Sequence, residues 1–335
     1  SPRIDILKKP VNSIYSQKAN EIKKKHGSFF LLNTYFTFSN HFFDKDESKR
    51  SLTLEAEGSS NKSLIYKRGL QMSELQRNTM KKTLEFIESF SNKFPKEKLI
   101  IRPHPSENHK IWFETAKKFK NIECIYDDQS TCSWMIASKF SISSNCTTSI
   151  ESFLLGKFNY NFRPIIDKKV EFDLPKICGI NIDTVESLLN KVELFKGENS
   201  DERVFNLERD TKMKSLKNYI ENIEKKQCSV ENMISFLSKD IKKDIDPNKE
   251  KYMNSISLFL NKQIRRLAFY KMKVKSLFEK KTKKQIEFAI QKFPDVSVNE
   301  IKGKISDIVK NMNIQDNFVV KEIYPGSFLI KKEDK

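Results

Sequence analysis

Between residues 98 and 162, short apolar runs and helix-patterned segments alternate every few residues, and this rhythm restricts the fold more than any other feature of the sequence. Residues 98–102 (KLIIR) read as a strand, 109–119 as a helix, 122–126 as a strand and 133–138 as a short helix. A strand over 140–143, a helix over 147–155 and a strand over 158–162 continue the series. Strands and helices so spaced form right-handed βαβ units on a parallel sheet. A helix over 11–25 that stops at Gly27, followed by the apolar run 29–32, adds one more buried strand. The expected fold is α/β, a Rossmann-like parallel sheet flanked by helices, followed by a mainly helical C-terminal region.

Outside that stretch the punctuation is looser. Residues 34–70 are a long polar segment holding Asp44-Lys45-Asp46-Glu47 and Gly58-Ser59-Ser60, a length that is usually functional or disordered in a compact domain. A helix capped by Ser73 runs to about Phe94. Beyond Asp183 the pattern is mostly helical, over 185–195 and 201–226. The polar segment 242–247 marks a hinge. From 248 to about 312 the tail reads as helices, and 318–320 with 328–330 flank Pro325-Gly326 as a hairpin.

Composition removes several classes. Twenty-six Phe supply a core, so disorder over the full length of the 335 residues is not expected. No apolar run approaches the roughly 18–20 residues of a membrane-spanning helix, and no signal-like stretch follows Ser1-Pro2-Arg3. The five cysteines, Cys124, Cys132, Cys146, Cys178 and Cys228, are odd in number and fit no zinc spacing, which points to reduced cytoplasmic thiols and to no metal site. The net charge of +18 comes from 62 basic against 44 acidic residues, and 52 of the 62 are Lys. With only eight Gly and abundant Lys, Asn, Ile and Phe this resembles AT-biased coding, so the charge by itself argues little for nucleic acid.

Two segments carry chemistry. Arg102-Pro103-His104-Pro105 follows a strand, and ligands of open parallel sheets bind beyond the strands' carboxyl ends. Proline on both sides fixes the backbone of His104, whose imidazole either donates to a phosphate oxygen or packs locally in a turn. Ser144-Asn145-Cys146-Thr147-Thr148-Ser149-Ile150-Glu151 is a hydroxyl-rich turn between strand and helix, a ready anion site. Glu151, one turn inside, accepts from a ribose hydroxyl or closes a capping box with Thr148. Between these segments, after Tyr126-Asp127-Asp128, Trp134 either covers a base or caps the core.

The order RPHPSENH, Trp112, Trp134, SSNCTTSIESFLLGK and Arg163-Pro164 resembles the bacterial surface carbohydrate biosynthesis proteins. Those are similar to the C-terminal halves of GT-B glycosyltransferases, CDP-glycerol glycerophosphotransferases and non-hydrolysing UDP-N-acetylglucosamine 2-epimerases. Pro2-Arg3-Ile4-Asp5-Ile6-Leu7 looks like the family's GxPRxDLL linker, and Phe30-Leu31-Leu32-Asn33-Thr34 like the strand opening its second half. The resemblance spans residues 1–165. Together with the hinge at 242–247 it gives a linker and first helix over 1–27 and a Rossmann-like nucleotide-sugar-binding domain over 28–240, while the basic, mainly helical region over 247–335 has no counterpart in that family. The resemblance implies His104 as the catalytic residue beside the donor phosphates. Arg102, Asn145, Thr147, Thr148 and Ser149 would bind the diphosphate side, and Glu151 the ribose. On the same resemblance the donor would be a nucleotide sugar, no cofactor or metal would be needed, and the acceptor would be a glycan or lipid-linked glycan. A sugar-nucleotide epimerase or polyol-phosphate transferase on the same fold is the alternative. The start at Ser1, without an initiator Met, sets the expectation that an N-terminal Rossmann-like half precedes it.

Residues 262–284 hold ten basic residues and one acidic, Glu279, interleaved with Leu267, Phe269, Tyr270, Val274, Leu277 and Phe278. One helix face is apolar and the rest basic. Three readings stay open: an ordinary packed helix with a solvated lysine face, a contact with an anionic membrane surface, or nucleic acid, for which no motif is present. The second would make the protein cytoplasmic and peripheral on the inner face of the membrane. Under a reading of another class, the chain is a non-catalytic membrane- or nucleic-acid-binding protein using this tail.

Overall fold

The computed structural model describes residues 2–7, 12–43, 62–127, 130–195, 200–220, 223, 229, 232, 235, 255–292, 296–311, 314–324 and 327–333. The charged run 44–47, the segment 58–60, Asp128, Cys228, the hinge 242–247 and the turn residues Pro325 and Gly326 lie outside them. The chain divides into two compact units, Tyr15–Ile223 and a second made of Ser1–Ile14 with Glu224–Lys335.

This division differs from the one read from the sequence, and local contacts explain why. The first helices, α1 (Pro2–Asp5) and α2 (Ser13–His26), part company. The Asp5 carboxylate, buried, accepts from the Ser229 backbone N–H at 2.7 Å, tying α1 to the C-terminal unit. Helix α2 buries Ala19 and Ile22 and brings the His26 ring to 5.2 Å from Trp134, so most of it belongs to the α/β unit.

The α/β unit runs β1 (Phe30–Asn33), α3 (Lys62–Lys93), β2 (Leu99–Arg102), α4 (Lys110–Ala116), β3 (Ile122–Cys124), α5 (Thr131–Ala137) and β4 (Ser141–Ser143). It continues with α6 (Thr148–Leu154), β5 (Asn159–Phe162), α7 (Asp173–Cys178), β6 (Ile180–Ile182), α8 (Val185–Leu194) and α9 (Ser200–Lys217). The strands form one parallel sheet in the order β3-β2-β1-β4-β5-β6. Helices cover both faces. Because side chains alternate along a strand, registered partners share a face: Phe30, Leu32, Ile101, Phe140, Ile142 and Tyr160 point one way. There Phe30 meets Phe90, Phe140 and Phe195, and Phe162 meets Phe86. Among the described residues, nine of the twelve largest fully buried side chains are Phe, each stabilising by about 1.5–3 kcal/mol on burial, which is how a lysine-rich chain holds a core.

The opposite face is polar along β4 and β5 and at the ends of β1 and β2. Asn33, Arg102, Ser141, Ser143, Asn159 and Asn161 lie on it, all buried. The Asn159 amide donates to Ser149 Oγ at 2.7 Å and Ser143 Oγ at 3.0 Å, and its oxygen accepts from Ser141 Oγ at 3.0 Å. A satisfied network of this kind holds α6 rigidly to β4 and β5.

Two elements depart from the sequence reading. The helix expected from Ser73 begins at Lys62. Its first turns leave Leu64, Ile65 and Leu70 exposed, so no amphipathic stripe announces them. Ser73 does not cap: its Oγ donates to the Phe38 carbonyl at 2.8 Å, and Gln76 Oε1 accepts the Phe38 N–H at 2.8 Å. The pair α7 and β6 was not anticipated, since a six-residue helix and a three-residue strand with an exposed Asn181 at its centre make too short a pattern to read. Gly179 joins them because a Cβ there would lie 2.8 Å from Asn161 Cβ.

The C-terminal unit holds α10 (Ser255–Phe278), α11 (Lys280–Lys292) and α12 (Val298–Asn311), then the antiparallel pair β7 (Phe318–Tyr324) and β8 (Ser327–Lys332). The helical tail and closing hairpin agree with the sequence pattern. Among the described residues, no helix is long and apolar enough to cross a membrane.

Candidate functional site

Strand β1 has β2 on one side and β4 on the other, so the chain reverses direction of travel across the sheet at this point. The carboxyl ends of β1 and β4 therefore border the crevice where such sheets take ligands. Asn33 ends β1. Its residue is 4% exposed, and both its Oδ1 and Nδ2 are buried with no hydrogen-bond partner. In the loop after β4, Thr148 Oγ1 is likewise buried, with the Cys146 thiol beside it. Leaving a buried polar group unsatisfied costs about 1–3 kcal/mol.

The loop after β1 is clasped to the loop after β2 by Glu107. Its fully buried carboxylate accepts from Thr34 Oγ1 at 2.9 Å, the Phe36 N–H at 2.9 Å, Trp112 Nε1 at 2.8 Å and Asn40 Nδ2 at 3.3 Å. Burial pushes its pKa up while the four donors pull the other way, and burial is the larger effect. The Thr34 hydroxyl also receives the His104 N–H at 3.3 Å. His104 itself is half-buried, edge-on to Tyr35 at 5.1 Å. Its Nδ1 accepts the Ser106 N–H at 3.2 Å, which places the proton of the neutral ring on Nε2 as a donor. His109 Nε2 in turn donates to the His104 carbonyl at 2.9 Å, with its own pKa lowered by burial.

The expected site residues separate into two groups. Thr147 is exposed at the start of α6 without a side-chain cap bond, and Thr148 is half-buried beside it. Thr148 is thus no capping-box residue. Asn145 shapes the turn: its φ is +47°, its Oδ1 accepts the Phe172 N–H at 2.9 Å and its N–H donates to Asn161 Oδ1 at 2.9 Å. Ser149 is fully buried in the Asn159 network, and Glu151 is buried on the inner side of α6. The N–H groups of Ser149, Ile150 and Glu151 already bond the Cys146 and Thr147 carbonyls, so this helix end has fewer orphan donors than the sequence implied. Arg102, 8% exposed, pairs with Asp127 at 2.6 Å and lies 4.8 Å from the Trp134 ring centre. Trp134 is buried against Phe29, which settles it as core rather than a base platform.

A small open cleft adjoins these loops, bordered by Tyr35, Ser144 and Asn145, by Gln76 and Thr79 of α3, and by Arg163 and Glu171. The last two form a two-pronged ion pair at 2.7 and 2.8 Å, and this contact raises the Arg163 pKa. Sequence reasoning passed over Asn33, Glu107, Gln76 and Glu171. Only Asn33 left a signal, a carboxamide closing an otherwise apolar strand. Burial pushes the Cys124 and Cys178 thiols up to about 12 and raises Cys146, which disfavours the nucleophilic thiolate at these three positions. Among the described residues no cluster of three or more His, Cys, Asp or Glu could hold a metal ion. In comparisons with known proteins, no family model and no curated sequence matches this chain.

Proposed function

We propose that the α/β unit binds a nucleotide-activated sugar at the carboxyl edge of its sheet, and that it is the donor-binding half of a GT-B-type glycosyltransferase of bacterial surface polysaccharide assembly. The observation that carries this reading is the buried, unpartnered carboxamide of Asn33, together with the buried Thr148 hydroxyl that meets no more than the Cys146 thiol, on the two strand exits that flank the reversal point. A ligand, an ordered water or an ion completes buried groups of this kind, and the place of these at the strand exits favours a ligand. In this reading Thr147 and Thr148 offer hydroxyls to the diphosphate, Asn33 offers its amide, and His104 donates from Nε2 to a phosphate oxygen. Fixed donors of this kind stabilise the charge that grows on a departing nucleoside diphosphate. Asn145, Ser149, Glu151 and Arg102 act at one remove, holding the loops that present these donors.

Calorimetric titration of the protein with uridine, cytidine and guanosine diphosphates and their sugars tests the reading. At least one binds, and Thr148→Val and His104→Ala each weaken it about tenfold, the effect of roughly 1.4 kcal/mol. Asn33→Leu weakens it too while leaving the ligand-free protein as stable or more so, because the substitution removes an unpaired polar group from the interior. Affinity unchanged in all three variants for every nucleotide would remove this reading.

A further inference from the structure

The amphipathic stretch in the C-terminal unit is the clearest feature that the nucleotide reading leaves unused. Leu267, Tyr270, Val274, Leu277 and Phe278 of α10 are spaced at three, four, three and one, which at 100° per residue gathers them into an arc of about 100°. Over 266–278 this arc contains no polar residue. All five side chains are between 57% and 84% exposed. A helix that used this stripe for packing within its own unit would bury it, so the reading of an ordinary packed helix does not account for it.

The charges lie where an interface would need them. Lys273 borders one edge of the arc and Lys271 and Lys275 the other, all exposed, and Lys273 lies 4.8 Å from the Phe269 ring centre. Lysine stems of this kind lie along an apolar surface and carry the ammonium outward. We propose that this face of α10 docks on the surface of an anionic lipid bilayer, the five apolar side chains entering the headgroup–acyl boundary and the flanking lysines meeting lipid phosphates and carboxylates. Charge complementarity selects this occupant. A second copy of the face would bring lysine rows against lysine rows, and a nucleic acid would leave the apolar arc without a partner. The inference is independent of nucleotide binding, which belongs to the other unit.

Co-sedimentation of the full chain with vesicles of phosphatidylcholine alone, or with about 30 mol % phosphatidylserine added, tests it. The protein partitions onto the anionic vesicles at least about tenfold more strongly than onto the neutral ones, and added salt weakens the binding. Leu267→Gln, Leu277→Gln and Phe278→Gln combined abolish it with the helical circular dichroism unchanged, since these positions are exposed. Lys271→Gln, Lys273→Gln and Lys275→Gln combined reduce it separately. Equal partition onto both vesicle types, or binding that neither variant alters, overturns the proposal. So does self-association, or salt-sensitive RNA binding, that depends on this face while anionic vesicles are left unbound. Nucleotide titration of the same variants stays as in the unaltered protein, so failure here is distinct from failure of the nucleotide reading.

Discussion

Glu107 does at the residue scale what no local pattern suggests: one buried carboxylate fixes two loops by receiving four donors. Glu107→Gln replaces one oxygen by an N–H₂ group, so that at least one donor now faces another donor. The expected loss is about 2–3 kcal/mol in urea unfolding. A variant as stable as the original would mean that Glu107 is already protonated in the folded state. His109 gives the complementary pH effect. Its folded-state pKa lies below 6.5 because burial disfavours the imidazolium. Its contribution to stability is therefore complete above pH 6.5 and is lost as the pH falls through the folded-state value. An NMR titration of the His109 ring should return a value under 6.5, and one above 6.5 would contradict the burial argument.

Among the elements, the short segments rely on close approach more than on length. Helix α6 has seven residues and β6 three, too few to persist by propensity. They persist because Asn159 and Asn161 bond across β4, β5 and β6, with Asn161 Nδ2 donating to Asn181 Oδ1 at 2.8 Å. Gly179 admits that approach. Gly179→Ala forces a Cβ against Asn161 and the Pro175 carbonyl and should cost about 1–3 kcal/mol, measured as a lowered thermal midpoint. A loss of a few tenths would show that the β5–β6 edge yields easily. The β6 edge was illegible in the sequence because Ile180–Ile182 has a polar Asn181 at its centre and no apolar run, whereas Phe30-Leu31-Leu32 of β1 and Leu99-Ile100-Ile101 of β2 stand out.

For the whole molecule, the division into two compact units makes two separable responses the expectation. In scanning calorimetry a bound nucleotide should raise the unfolding transition of Tyr15–Ile223 by about 2.7 kcal/mol at a hundred times its dissociation constant, and leave the other unit's transition in place. A single transition that moves as one would mean that the units unfold together. The sequence by itself determined the alternation of strand and helix, the parallel sheet and the basic amphipathic stripe of α10, because each is written in spacings of two to four residues. It also pointed to the RPHP and NCTTS loops. Only the tertiary structure decided which of their side chains stay at the loop surface and which are buried. Arg102, Ser149 and Glu151 turned inward, Thr147 and Thr148 remained at the rim, and Asn33 was left unpaired. Whether a polar atom is satisfied depends on partners far along the chain, as with Thr34 and Glu107, 73 residues apart, and no local period encodes that distance.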